Sequence, residues 1–228
     1  MSYVIETPVI PSLRVDGTDK LFPIHRIYCV GRNYADHARE MGYDPDREPP
    51  FFFQKNPDTI VPSGGKFPYP DRSKNVHYEI ELVAALSKGG KNISNVEALN
   101  CIFGYAVGLD MTRRDLQSEA KKLGRPWEVG KAFDFAAPCS DVYPISKTGH
   151  PEDNRIWFKV NGELKQEGYI DQLIWNVAEI IRYLSELFTL APGDLIFTGT
   201  PAGVGSIQQG DSLEGGVEGI GDINITVT

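Results

Sequence analysis

The chain has 228 residues, 41% of them apolar, and a formal net charge of −8, enough to build one sizeable core and too acidic for a phosphate-reading surface, since basic residues adjoin only at Arg113-Arg114 and Lys121-Lys122. No apolar run reaches the roughly 20 residues of a membrane span, and the chain opens without a basic segment leading into an apolar one. Cys29, Cys101 and Cys139 are far apart with no C-x-x-C, which argues against a disulfide framework or a thiolate zinc site; the expectation is a cytoplasmic protein with a small-molecule partner, no nucleic acid and no membrane.

Residues 1–22 are Pro-rich and weakly patterned, with Val4-Ile5 and Val9-Ile10 as short strand candidates. They are expected to form an N-terminal arm packed on the body or on a neighbouring subunit, and residues 23–228 a single domain. A strand over 26–30 runs into Gly31-Arg32-Asn33-Tyr34, and 35–41 reads as a short helix ended by Gly42. That helix carries His37 and Glu40, spaced i, i+3 and therefore on one face. Two readings are open: a carboxylate-oriented imidazole acting as general base, or an ordinary solvated helix face. The charged, Pro-rich segment 43–50 reads as a surface loop and a candidate lid. Phe51–Lys55 is a β-prone core strand, and Pro62-Ser63-Gly64-Gly65 a turn.

The stretch 77–82, His-Tyr-Glu-Ile-Glu-Leu, is the most informative. In a strand, side chains alternate between faces, so Glu79 and Glu81 share one face while Ile80 and Leu82 take the other. An isolated E-x-E is compatible with a solvated acidic edge. Here, however, the apolar run Leu82-Val83-Ala84-Ala85-Leu86 follows directly, as in a buried strand, and burying unpaired carboxylates is costly. A divalent cation is the usual partner of converging carboxylates.

A short helix over 94–101 carries a capping box at Ser94 and Glu97. The second apolar strand, 103–109, ends in Asp110. Asp110 is placed either as a third oxygen ligand from an adjacent strand or as a cap of the helix predicted over 113–123, a task for which Thr112 is better placed. Lys131, in the aromatic-flanked run Gly130-Lys131-Ala132-Phe133, is either a holder of a substrate carboxylate or a solvated lysine.

The last third is architectural. A hairpin over 155–168 turns at Asn161-Gly162, which suits a type I′ turn. The longest helix is predicted over 170–188, with Leu173, Ile174, Val177, Ile180, Ile181, Leu184, Leu187 and Phe188 on its core face. A strand over 194–198 opens into the glycine-rich run 199–205. That run lacks the G-K-[ST] ending of a phosphate loop, and its backbone N–H groups and the Thr200 hydroxyl are expected to face an anionic ligand. Ile223, Ile225 and Val227 alternate with polar residues, as in a half-buried strand.

Taken together, the motifs G-R-N-Y-x-x-H, H-Y-E-I-E-L, G-x-D-M-T-x-R-D-L-Q, G-K-A-F-D, V-N-G-E and G-D-L-I-F-T-G-T-P-x-G-V-G resemble those of the fumarylacetoacetate hydrolase family, in the family's order, from Phe22 to the C-terminus. The run from Asp46 to Lys55 is similar to the acylpyruvate and fumarylpyruvate hydrolase branch, whose relatives include oxaloacetate decarboxylases. The resemblance implies a β-rich α+β fold, a mixed β-roll or sandwich with peripheral helices, and a homodimer. It implies one Mg²⁺ or Mn²⁺ per subunit at Glu79, Glu81 and Asp110, and a His37–Glu40 pair on a lid. Arg32, Tyr34, Gln117, Lys131 and Thr200 would contact a 2-keto acid substrate, with Lys131 adding a catalytic positive charge.

The implied reaction is hydrolysis of the C–C bond of a 2,4-dioxo acid, fumarylpyruvate foremost, to a carboxylic acid and pyruvate, through water activated by His37 and a metal-stabilised pyruvate enolate. The alternative is oxaloacetate decarboxylation, which yields the same enolate without activated water.

Overall fold

The computed structural model describes residues 3–36 and 48–228. Its centre is a mixed eight-stranded sheet in the order Phe51–Lys55, Ile27–Gly31, Leu195–Phe197, Ile80–Leu86, Ile102–Leu109, Ala137–Cys139, Ile60–Pro62, with Tyr143–Pro144 paired to Ile102–Leu109. Leu195–Phe197 runs parallel to Ile27–Gly31 and antiparallel to Ile80–Leu86. A five-stranded sheet, Glu163–Tyr169, Arg155–Val160, Ser212–Val217, Gly221–Val227 and Lys66–Phe67, lies against it. The fold is the expected β-rich α+β type, a curled mixed sheet with few helices.

Both faces of the central strands are buried, and strand periodicity assigns each residue to a layer. Ile80, Leu82, Ala84 and Leu86 join Ile156, Phe158, Leu213, Ile223 and Ile225 in the main core between the two sheets. Val83 and Ala85 face the other way, with Ile27, Cys29, Ala106, Leu195 and Phe197. Leu13, Val15 and Phe22 pack in this second layer. The short strands at the start of the chain are Ser12–Arg14 and Leu21–Pro23, whereas Val4, Ile5, Val9 and Ile10 are exposed.

Several elements differ from the sequence pattern. The stretch 77–82 is not one strand. Val76–Tyr78 pairs with Thr112–Arg113 and Gly205–Ser206 in a three-stranded sheet, Ile80–Leu86 belongs to the eight-stranded sheet, and the chain changes sheets at Glu79. Thr112 pairs with His77 in that small sheet and does not cap the following helix, which spans Arg114–Lys122.

The long helix is shorter than its apolar period suggests, Val177–Leu187, because Asn176 caps it: its side chain accepts from the Glu179 N–H at 3.0 Å, and Glu179 returns the bond to the Asn176 N–H. Leu173 and Ile174 lie before the helix, held to Asn33 and Tyr34 by backbone bonds, and Leu187 and Phe188 are exposed at its end. At the hairpin turn, Asn161 (φ 52) and Gly162 (φ 80) adopt the two left-handed conformations expected.

Candidate metal centre

The acidic cluster follows from the register of two strands. Ile80 is opposite Leu109 and Glu81 opposite Gly108, and the Asp110 N–H donates to the Glu79 carbonyl at 2.8 Å. Glu79, Glu81 and Asp110 therefore project from one face of one antiparallel ladder, the face of Val83 and Ala106. One carboxylate oxygen of each lies within 4.8 Å of the others. Their exposures are 5%, 2% and 1%, which excludes a solvated acidic edge.

Among the described residues, three cations form ion pairs with the cluster. Lys131, 3% exposed and at the end of the short helix Glu128–Lys131, donates to Glu79 at 2.8 Å, to Asp110 at 2.6 Å and to the Thr112 hydroxyl at 2.7 Å. Arg114, in the first turn of the helix Arg114–Lys122, donates to the other Glu79 oxygen and to Gln117 Oε1 at 2.8 Å. Lys55, fully buried at the end of Phe51–Lys55, has its Nζ 2.8 Å from Asp110 Oδ1; it donates to the Met111 carbonyl at 3.0 Å and to that of Lys131. Gly130 allows this packing, since a Cβ there would come within 2.9 Å of the Gln117 nitrogen.

Glu81 differs from its neighbours. Among the described residues no lysine or arginine forms an ion pair with it; it accepts the Gly199 N–H at 2.8 Å. Burial first, then the charges of Asp110 and Glu79, push its carboxyl well above the usual range, against the opposing pull of Gly199 and Lys131. The Lys131 ammonium is the converse: burial would lower it, but Asp110 and Glu79 outweigh burial and hold it above the ordinary lysine range. A hard divalent cation fits this donor set, all oxygen, buried, and with one carboxylate whose ionised form lacks a cation partner.

Of the residues assigned from sequence, Arg32, Gln117, Lys131 and Thr200 line the same cavity as the three acids. Arg32 enters with a left-handed backbone (φ 58), which in a non-glycine residue marks local strain of the kind found at binding sites. The Thr200 hydroxyl accepts from Gln166 Nε2 at 2.8 Å. Tyr34 lies in a neighbouring cavity beside Asp36, Glu167 and Gln172, its hydroxyl buried with no hydrogen-bond partner among the described residues. His37 and Glu40 fall outside the described residues. Lys55, Arg114, Lys121 and Trp127 were not singled out from sequence. For Lys55 the signal was present: it shares a strand face with Phe51 and Phe53, where a lysine needs a buried partner.

A model of the C-terminal part of fumarylacetoacetate (FAA) hydrolase matches residues 26–228. The fumarylpyruvate hydrolase of a Ralstonia species is 49% identical over 189 residues, 82% of this chain and 98% of the relative. The mitochondrial oxaloacetate tautomerase of Mus musculus is 44% identical over 194 residues, 85% of this chain and 87% of the relative. Among solved structures, fumarylpyruvate hydrolase from Pseudomonas aeruginosa in complex with Mn²⁺ and pyruvate superposes with a TM-score of 0.97 at 52% identity, covering 100% of this chain and 99% of that one.

Proposed function

The chain belongs to the fumarylacetoacetate hydrolase family, and from that premise we propose that it hydrolyses the C–C bond of a 2,4-dioxo acid, fumarylpyruvate foremost, to a carboxylic acid and pyruvate. The observation that carries the proposal is the convergence of Glu79, Glu81 and Asp110 in one buried cavity, in a chain about half identical to fumarylpyruvate hydrolases over nearly its full length. Glu79, Glu81 and Asp110 are the residues that would hold Mg²⁺ or Mn²⁺, one per subunit. When bound, that ion supplies Lewis-acid polarisation of the keto-acid oxygens and offsets the charge that develops as the bond breaks.

The chain's own residues do the rest. Lys131 holds Glu79 and Asp110 in place through ion pairs, and Arg114 holds the other Glu79 oxygen. Arg32, Gln117 and Thr200 present donors along the cavity wall to the substrate's carboxylate and keto oxygens, and Tyr34 is assigned as a further substrate contact. His37, oriented by Glu40, takes a proton from water as its oxygen attacks C4. The C3–C4 bond then breaks with its electron pair on C3 of the departing pyruvate, which takes up a proton. Lys131, fixed beside Glu79 and Asp110, adds positive charge where that pair develops.

Oxaloacetate decarboxylation is the second reading, since loss of CO₂ needs no activated water; the relative at 44% identity is named for a different reaction of oxaloacetate, its tautomerisation. Purified protein assayed with Mg²⁺ or Mn²⁺ against fumarylpyruvate, acetylpyruvate and oxaloacetate decides between them. Hydrolysis that chelator abolishes and metal restores is expected. His37→Ala should lose hydrolysis while keeping any decarboxylation, and unchanged hydrolysis in that variant would remove His37 from the mechanism. Three free, buried cysteines fit the proposed cytoplasmic setting. The exposed Tyr3, Val4, Ile5, Val9 and Ile10 fit a homodimer, which sedimentation would test.

A further inference from the structure

The cavity that holds the acidic cluster has a second end. Along the helix Arg114–Lys122, Arg114, Gln117 and Lys121 stand at i, i+3 and i+7, and all three line the cavity. Arg114 marks the cluster through its bond to Glu79. Lys121 lies seven residues on, about 10 Å farther along the helix axis.

The surroundings change over that length. Lys121 Nζ sits 4.8 Å from the centre of the Trp127 ring. Phe51 meets Trp127 edge-on at 5.3 Å, and the Arg32 guanidinium lies 5.3 Å over Phe51. Among the described residues lining the cavity, the only carboxylates are Glu79, Glu81 and Asp110, set against Arg32, Arg114, Lys121 and Lys131. Burial first, then the like charges of Arg114, Arg32 and Lys131, push the Lys121 ammonium down to about 8, the field of a pocket suited to an anion.

Resting on the reading of the site as a 2,4-dioxo acid hydrolase, we propose that Lys121 is a specificity-determining residue whose ammonium receives a carboxylate at the far end of the acyl group. The acyl chains selected are those that end in an acid, with their unsaturated or methylene body against Phe51 and Trp127. Length supports the same class: an extended seven-carbon diacid spans about 7–8 Å, whereas a four-carbon one spans roughly half of that. Only the longer chain reaches from the acidic cluster toward Lys121.

The test compares wild type, Lys121→Met, Lys121→Arg and Lys121→Glu, each loaded with Mn²⁺ and checked for an unchanged melting temperature. In kinetics, the ratio of kcat/KM for fumarylpyruvate to that for acetylpyruvate should fall about tenfold or more in Lys121→Met, fall further in Lys121→Glu, and recover in Lys121→Arg. In calorimetry, wild type should bind 2-oxopimelate, a seven-carbon keto diacid, more tightly than 2-oxoheptanoate, and Lys121→Met should lose that preference. Ratios and preferences that stay within about twofold of wild type in both Lys121→Met and Lys121→Glu, against the expected change, overturn the proposal. Because the titration requires no turnover, wild-type protein that hydrolyses neither acylpyruvate would sink the hydrolase reading while the binding preference still decides the role of Lys121.

Discussion

The Gly199 N–H donates to a Glu81 carboxyl oxygen at 2.8 Å, so one backbone donor of the glycine-rich loop is taken up by a side chain of the protein itself. Gly199 holds φ +105, a conformation side chains rarely adopt, and a Cβ there would come 2.7 Å from that of Asn33. Asn33 is itself committed, donating to the carbonyls of Trp175 and Thr198 at 2.9 and 2.7 Å. Gly199→Ala should therefore displace the donor from Glu81 and weaken Mn²⁺ binding by roughly 10–100-fold. Calorimetric titration with Mn²⁺ checks it, and wild-type affinity would refute the link between loop and ligand.

Glu81→Gln separates metal affinity from stability. The variant loses an anionic ligand, so Mn²⁺ affinity should drop by more than about a hundredfold. It also removes the carboxyl that burial and its neighbours push well above the usual range, so the chelator-treated variant should melt no lower than chelator-treated wild type. A large fall in metal-free melting temperature would show that the Glu81 carboxylate stabilises the fold without a cation.

The same carboxyl sets a pH dependence with a definite sign. Its native pKa is raised, so its contribution to metal-free stability is complete below the ordinary carboxylate range and is lost as pH rises through the raised value. In chelator, wild type should lose stability relative to Glu81→Gln as pH climbs above the ordinary carboxylate range. Mn²⁺ affinity should climb over the same interval, because the proton must leave before the ion binds. Melting curves with and without Mn²⁺ across that range test both slopes, and parallel curves for the two proteins would contradict the assignment.

Lys131 bridges two buried carboxylates at 2.8 and 2.6 Å. Lys131→Met leaves Glu79 and Asp110 facing each other with one cation fewer, a loss of about 3–5 kcal/mol in the metal-free protein. Urea denaturation should show an early midpoint with chelator and substantial recovery with Mn²⁺. A midpoint close to wild type in chelator would mean that Lys55 and Arg114 balance the cluster without Lys131.

Much of the site was legible because its logic is local. Period-two spacing put Glu79 and Glu81 on one face, the apolar run after them implied burial, and Asp110 stood at the end of the next apolar strand. The break at Glu79 was not legible, because sheet membership depends on partners such as Thr112 and Ser206 that lie far along the chain. For the same reason Thr112 reads as a helix cap in sequence and pairs with His77 in space. Arg114 was hidden in a pair of adjacent basic residues, since only the turn of the helix decides which of the two points inward. The true start of the last long helix was visible in Asn176 and Glu179, but the apolar period running past it masked the signal.

The carboxylates of the cluster come from a single antiparallel ladder, whereas Arg114, Gln117 and Lys121 ride on a separate helix. The helix meets the ladder through Arg114 in its first turn, which donates to Glu79. Lys121 stands about two turns farther along, where a substitution leaves that bond and the ladder in place. For an engineer, this makes position 121 the place to begin retargeting and the 79–81 stretch the place to leave alone.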